Sequence, residues 1–597
     1  MRRDEYRNLI KDISDPYSAW IREKEIKREV LPLRIPDDYT LFLDGDGDID
    51  PGLSAALNEY GVFEKGYDFI YADEDEISGN RRHDPFFKPA FSPDTLEDFY
   101  YPGGFTIVKN SLIRSISGKT AAEEGSLEFL RECGRASEKP LHIPEVMYHA
   151  GTHHKYAYKD AGGDKEAAAL PDRVSVVILS KDHPELLRRC ISGLRKSAEK
   201  DGISPECIVL DNGSNAENTA CYQELSKEYS FSYLREERDF VFSALCNKGA
   251  SLTESGVLLF LNDDIEVPDG LSFLKPMMRE TLKPGTGAVG CKLLYPGGEK
   301  IQHIGISMLS SGGSHCFSGY SDDVSYMRGV NRGKRNVFAV TGACLMVERS
   351  KFLEAGGFDE KLAVAYTDTD LCAALLSKGY RNVCLNSFFL IHHESVSRKS
   401  DAGEREKYLR LRKERDYFYG KYRELLKDGD PWYNRNLTGT ELDMRVDILY
   451  PEDRVPFYSS EALKKADSTV KGCRKAEEGQ VLYNIESVSV RNSDAQGHEG
   501  FIDIRGWGFV HGKAGYEYDI CVKIKDSDRE YVLTAGRIYR EDLPQVFPKE
   551  KDILLSGFAV KAEAAALKSD ITKDSIALIF RGHDIFGRDR SFIINES

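Results

Sequence analysis

Two aspartates, Asp263 and Asp264, stand side by side after the apolar run GVLLFL at 256–261. Adjacent carboxylates repel each other unless a cation or hydrogen-bond donors offset them. A divalent ion does so, and Mg²⁺ commonly takes one or two carboxylates together with phosphate oxygens. The same residues also suit a turn with a helix cap. A third carboxylate, Asp211, follows the short run CIVL at 207–210, and His392-His393 follows FFLI at 388–391. A histidine pair at a strand end offers one more metal ligand or a phosphate contact. TDTD at 367–370 precedes the helix-like LCAALLSKGY, so Asp370 suits a helix cap.

The elements around these residues must bring them together. Val174–Leu179 is a continuous apolar run, as expected of a strand buried on both faces. Pro184 suits the first position of a helix over ELLRRCISGLRKS. Strands follow at Cys207–Leu210, Phe231–Leu234 and Gly256–Leu261, with helices between them. Alternating β and α elements predict a doubly wound α/β sheet, whose ligands bind beyond the carboxyl ends of the strands. Asp211, Asp263 and Asp264 are all at such ends.

The blocks VSVVILSKDHPELLRRCI, VLDNGS, NKGA, GVLLFLNDDIEVPDGL, VTGACLMVERSKFLEAGGFDEKL, AYTDTDLCAALLSKGYRNV and HHES occur in this order between residues 173 and 425. Together they resemble the family-2 glycosyltransferases of GT-A fold, the nearest likeness being to enzymes of bacterial surface polysaccharides, rhamnose-transferring ones included. The resemblance implies a nucleotide-sugar site contacted by Ser180, Asp211, Asn247, Asp263 and Gly342, with Asp211 reading the base. It implies a divalent metal, Mn²⁺ or Mg²⁺, held by Asp264 and His393, with His392 the alternative histidine. It makes Asp368 the general base that deprotonates the acceptor hydroxyl for a single inverting displacement. Three positions depart from the family pattern: Asn262 opens the metal motif in place of Asp, Thr367 precedes the base in place of Glu, and Lys181 stands where relatives carry an aromatic. The implied donor is a UDP- or dTDP-sugar, and the implied acceptor a lipid-linked or polymeric saccharide.

Residues 36–150 contain YTLFLDGDGDIDPGLSAAL, FIYADEDEI and HIPEVMYHAG. These resemble the acceptor-side half of a second such domain, without the strands that would bind nucleotide. DGDGDID has aspartates at EF-hand spacing, but Ile49 replaces the required Gly and Ala55 the bidentate Glu, which argues against calcium. A helical lead-in is expected at 1–35, a linker at 151–172 and a polar, partly helical connector at 426–479. Alternating stretches such as FIDIRGWGFV predict a β-sandwich accessory domain at 480–597, with Trp507 in its core.

At 597 residues the chain needs several cores. Its net charge of −16 argues against a nucleic-acid partner. No apolar run reaches membrane-spanning length and no signal-peptide pattern opens the chain, so the expected location is the cytoplasm, with any contact at the inner membrane face peripheral. RLRKER at 410–415 reads as a solvated helix face or a peripheral membrane contact. The 12 cysteines form no metal or disulfide pattern. A pyrophosphorylase or a dehydrogenase needs a glycine-rich loop after the first strand, where this chain has LSKDHPELL. The competing reading is a catalytically impaired glycan-binding or scaffolding subunit of a polysaccharide-assembly complex.

Overall fold

The apolar run at 174–179 becomes the strand β7 (Arg173–Ser180), at the centre of a parallel group with β8 (Ser204–Asp211), β9 (Ser232–Arg235) and β10 (Val257–Asn262). The computed structural model describes residues 15–151, 170–393 and 405–447, apart from 24, 46, 80, 120–122 and 310–311, and most of 455–594. Asp46, most of the expected linker, the first 14 residues and the Glu394-Ser395 end of the HHES block lie outside the described residues. Every strand boundary in this group differs from the sequence reading by one or more residues: all four strands end one residue beyond the apolar run, where ladder hydrogen bonds continue, while β9 and β10 begin one residue later than expected. The helix Pro184–Asp201 does start on its proline and ends on Gly202 in the left-handed conformation.

The sheet continues beyond β10 in mixed sense through β17 (Cys344–Glu348), β12 (Thr286–Leu294), β18 (Arg381–His392) and β11 (Ile265–Glu266). The short strands β13 (Ile301–His303) and β16 (Lys334–Val337) pair with β12 and β18 respectively. The strand order is β11-β18-β12-β17-β10-β7-β8-β9. This is the expected doubly wound mixed sheet. Val176, Ile178, Val209, Leu259 and Met346 are fully buried in the core between this sheet and its helices.

The first segment forms its own sheet from β1 (Tyr39–Leu43), β2 (Asp48–Ile49), β3 (Phe69–Ser78), β4 (Arg81–Phe86), β5 (Phe105–Lys109) and β6 (Pro140–Ala150). Its order is β1-β5-β3-β6-β2, with β4 on β3. Of the expected lead-in, only Pro16–Glu23 is helical among the described residues; residues 26–36 carry no helix.

This half-domain and the larger sheet belong to one unit, Asp15–Lys399 with Tyr422–Asp447. Hydrogen bonds and ion pairs join them. Asp94, at the start of the helix Pro93–Asp98, accepts from Asn336 Nδ2 at 2.7 Å and from Arg381 Nε at 2.7 Å. Lys283 pairs with Glu97 at 2.8 Å. Asn434 Nδ2 donates to Asp73 at 2.9 Å and to the Lys88 carbonyl at 2.8 Å.

The second unit comprises Ser400–Lys421 and Ile448–Ser597 together with the chain start. The sequence boundary at 425 therefore shifts: the helix Arg405–Lys421 belongs with the C-terminal strands, and residues 422–447 belong with the first unit. Two five-stranded sheets pack face to face around Ile504, Val522, Phe558 and Leu578, forming the expected sandwich. Trp507 packs against that core, stacked on Phe509 at 5.9 Å. In the RLRKER cluster, Arg412 and Glu414 are buried, and Arg412 approaches Asp519 at 3.5 Å; these two do not form a solvated face.

Candidate active site

Strand register brings the carboxylates to one edge. Ser180 is the register partner of Asp211 across β7 and β8, and Leu179 is the partner of Asn262 across β7 and β10. The chain turns there, so Asp263 and Asp264 lie beside Ser180. Ser180 Oγ donates to Asp263 Oδ2 at 2.6 Å and meets the Tyr222 hydroxyl at 2.7 Å. Tyr222 OH also accepts from the backbone N–H of His183 at 2.9 Å. Burial pushes the Asp263 carboxyl up to about 7, and the Asp264 charge adds to that against the Ser180 hydrogen bond.

Asp264 faces the other way. Its Oδ1 is buried, has no hydrogen-bond partner, and lies 3.1 Å from His392 Nε2. His392 Nδ1 is 2.7 Å from Gln302 Oε1, and the Gln302 amide nitrogen donates to the His392 carbonyl at 3.4 Å. That amide orientation makes Nδ1 the proton donor and leaves Nε2 as a lone pair directed at Asp264 and at Asn262 Nδ2, 3.3 Å away. Burial alone would raise the Asp264 carboxyl; a proton on His392 Nε2 outweighs it and holds the carboxyl below its ordinary value. Two electron-rich atoms at this separation call for a proton or a metal cation. A carboxylate oxygen, an imidazole nitrogen and a Gln that fixes the ring tautomer form a donor set that fits a divalent ion.

The metal role expected of His393 is corrected by this geometry. Its Nε2 bonds Glu266 Oε2 at 2.7 Å and meets Arg189 at 3.1 Å. Across β11 and β18 the His393 N–H bonds only the Asp264 carbonyl, at 3.0 Å, and the turn at Asp263-Asp264 carries the Asp264 carboxylate to the His392 ring instead.

Asp368 is the second residue of the helix Thr367–Ser377, preceded by Tyr366 at φ 59°. Its Oδ2 accepts from the Gly342 N–H at 2.8 Å and its Oδ1 from the Thr369 N–H at 2.7 Å. A Cβ on Gly342 would approach Phe242 to 3.2 Å and the Asp368 Cβ to 3.5 Å, so glycine leaves room for the carboxylate to seat. The Asn262 N–H bonds the Ala343 carbonyl at 2.9 Å, which sets Asp368 and its Gly342 anchor beside Asn262-Asp263-Asp264. Asp370 is buried at the fourth helical position and does not cap the helix; Tyr366 is the N-cap residue, without a side-chain cap bond.

Two expected contact residues are built into the scaffold instead. Asp211 is fully buried: Oδ1 accepts from Ser214 N–H at 2.9 Å and Oγ at 2.6 Å, and Oδ2 from the Tyr233 hydroxyl at 2.6 Å. Its oxygens hold the 211–214 turn, which corrects the expectation of a base-reading carboxylate. The Asn247 amide clamps a turn: Nδ2 donates to the Phe358 carbonyl at 2.9 Å and Oδ1 accepts from the Phe358 N–H at 2.9 Å. That corrects its assignment as a donor-sugar contact. Lys181 is exposed. The sequence reading missed Tyr222, Tyr233 and Gln302, since each joins the site through tertiary contact and none belongs to a recognisable motif.

The glycosyl transferase family 2 model matches residues 175–355. The chain is 29% identical over 458 residues to the O-antigen biosynthesis protein RfbC of Myxococcus xanthus, covering 70% of this chain and 35% of that protein. It is 30% identical over 447 residues to the uncharacterized protein y4gI of Sinorhizobium fredii, covering 67% of this chain and 48% of that one. A shorter match, 37% over 68 residues, covers 11% of this chain and 22% of an N-acetylglucosaminyl-diphospho-decaprenol L-rhamnosyltransferase of Mycobacterium tuberculosis. The chain thus spans about a third to a half of the length of the two long relatives. With Ser180, Asp263, Asp264 and Gly342 gathered at one strand edge inside the matched segment, residues 175–355 are a glycosyl transferase family 2 domain.

Proposed function

We propose that the chain is an inverting glycosyltransferase of surface-polysaccharide synthesis, moving a sugar from a UDP- or dTDP-sugar to a lipid-linked or polymeric saccharide. Rhamnose is the first sugar to test, because one relative is named as a rhamnosyltransferase with a decaprenol-linked substrate. The observation that carries the reading is the orphaned Asp264 Oδ1 facing His392 Nε2 at 3.1 Å, beside an Asp368 held by the Gly342 and Thr369 N–H groups.

Asp264 and His392 would hold a Mn²⁺ or Mg²⁺ ion, with Asp263, Ser180 and Asn262 around them. A divalent ion there neutralises charge on a diphosphate leaving group. Asp368 accepts the proton of the acceptor hydroxyl through the carboxylate lone pairs that Gly342 and Thr369 leave open, and that hydroxyl displaces the nucleoside diphosphate with inversion. Tyr222 and Ser180 keep Asp263 in place. Among the described residues no helix is long and apolar enough to cross a membrane, so we propose a cytoplasmic protein that meets a membrane acceptor at the inner face by peripheral contact.

The test is a thermal-shift panel of UDP- and dTDP-sugars with and without Mn²⁺, since a ligand of the native state raises apparent stability. A metal-dependent shift with one donor supports the reading and names the sugar class. No shift with any donor moves the assignment to a non-catalytic binding subunit.

A further inference from the structure

A cavity of about 1030 Å³ opens between the half-domain and the transferase domain, outside the site described above. One wall is β4, with Arg81, Asp84 and Pro85; the facing wall holds Met327, Arg328 and Ser387. Three features distinguish it from an incidental gap.

The first is backbone conformation. Met327 (φ 40°) and Arg328 (φ 60°) are consecutive L-residues in the left-handed region, followed by Gly329 (φ 100°). Such conformations persist only where their surroundings over-determine them, and they concentrate at ligand sites. Here the half-domain provides the constraint: the Arg328 guanidinium lies 4.5 Å from the centre of the Phe86 ring, and its Nη1 bonds Glu74 Oε1 at 3.3 Å. The second is a break in β18. Cys291 pairs with Leu385 and Lys292 with Phe389, so residues 386–388 bulge out of the ladder. Asn386 Nδ2 then holds the Val330 carbonyl at 3.0 Å, and Ser387 is exposed into the cavity.

The third is charge. The cations at the wall all face carboxylates: Arg81 meets Asp15 at 2.9 Å, Lys292 and Arg332 share Asp322 at 2.7 and 3.7 Å, Arg445 meets Asp443 at 2.9 Å and Arg328 meets Glu74. An anion gains little from such a surface. A neutral polyhydroxylated ligand gains more, because its hydroxyls both donate and accept, and Met327 and Pro85 offer apolar patches for its C–H faces. Ser387 precedes His392 by five residues on the same strand, a span of roughly 16 Å at about 3.3 Å per residue. The cavity is thus aligned with the transferase edge and remote from the reacting atoms.

We propose that this cavity is a subsite for the non-reacting part of a neutral acceptor saccharide, with the first sheet as one wall. The proposal rests on the transferase reading and gives its acceptor a second point of attachment, the kind of remote contact whose binding energy serves the reacting centre. The experiment uses the full chain in saturation-transfer NMR and titration with rhamnotriose, mannotriose and chitotriose, and with dextran sulfate as a polyanion probe. We expect at least one neutral trisaccharide to bind, and Ser387→Trp, which fills the cavity from an exposed position, to weaken that binding at least tenfold. Met327→Trp fills it from the neighbouring loop and should act in the same direction. Binding of none of the three trisaccharides, undiminished binding by both variants, or binding of the polyanion alone overturns the subsite. Loss of the metal-dependent nucleotide-sugar shift in the wild-type chain overturns the transferase reading instead, so the two failures are distinguishable.

Discussion

The two sheets of the first unit repeat one plan with different chemistry. The half-domain order β1-β5-β3-β6-β2 matches β10-β17-β12-β18-β11 strand for strand, with the same parallel and antiparallel senses at every pairing. Among the described residues the first sheet shows no counterparts of β7, β8 and β9, the strands that carry Ser180 and Asp211. At matching register, Ile265 pairs with His392 in one sheet and Asp48 with His149 in the other. His392 turns to a neutral Gln302, leaving Nε2 available. His149 has Asp75 at 2.6 Å and Asp50 at 3.4 Å, one on each ring nitrogen. Tyr148 fills the adjoining strand-end space so closely that a Cβ on Gly47 would fall 2.2 Å from its ring, and its hydroxyl bonds the Asp44 carbonyl at 2.8 Å. One fold thus supports a metal-competent histidine where its partner is an amide, and a fixed structural cation where its partners are carboxylates.

The largest expected effect separates the two helices that open beside each sheet. Asp368→Asn should lower sugar transfer by about 10²–10⁴-fold, the usual worth of a positioned base, while donor binding by thermal shift persists. Glu128→Gln, at the second position of the half-domain helix Leu127–Ala136, should leave transfer unchanged, because Glu128 pairs with Arg131 of its own helix at 2.7 Å. Normal turnover in Asp368→Asn would remove it from the base role.

Next are the histidines. His392→Ala and Asp264→Asn should abolish the Mn²⁺-dependent shift, and His393→Ala should retain it. Gln302→Ala should weaken metal affinity about 10–100-fold, as loss of a partner that orients a ligand commonly does. An effect confined to His393→Ala would return the metal to that residue.

The same comparison predicts opposite pH behaviour. Burial works against charge on His149, but its hydrogen bonds to Asp50 and Asp75 outweigh it and lift the ring to about 9 from an ordinary 6.5. A folded-state value above the unfolded one contributes stability that is complete below about pH 6.5 and lost as pH rises through 9. Denaturant unfolding of the wild type should therefore lose stability across pH 6.5–9, and His149→Gln should flatten that slope. A slope unchanged by the substitution would place its origin elsewhere.

The smallest effect tests the scaffold that only the larger sheet has. Tyr222→Phe removes the hydroxyl between Ser180 and His183 and should cost about 1–3 kcal/mol, the usual penalty for stranding buried polar partners, measured by denaturant titration. A change under the measurement error would show that water replaces the hydroxyl.

Much of the transferase sheet was legible in the sequence, because strands buried on both faces read as unbroken apolar runs and because carboxylates at their ends stand out against those runs. Boundaries were less so, since Asp211 and Asn262 continue ladders by backbone hydrogen bonds that side-chain type does not report. Asp211 was placed correctly at a strand end but assigned to ligand, as was Asn247, whereas the polar atoms of Asp211 close its own turn and Asn247, within the helix Phe242–Ser251, clamps the turn at Phe358.

The sequence by itself determined which residues stand at strand ends and the order of the blocks in the transferase sheet, because these follow from local periodicity and chain order. Tertiary structure decided which of two adjacent histidines meets Asp264. Strand pairing alone would set His393 opposite Asp264, since β11 pairs Ile265 with His392 and the His393 N–H bonds the Asp264 carbonyl; the turn at Asp263-Asp264, which no local periodicity reports, carries the carboxylate to His392 instead.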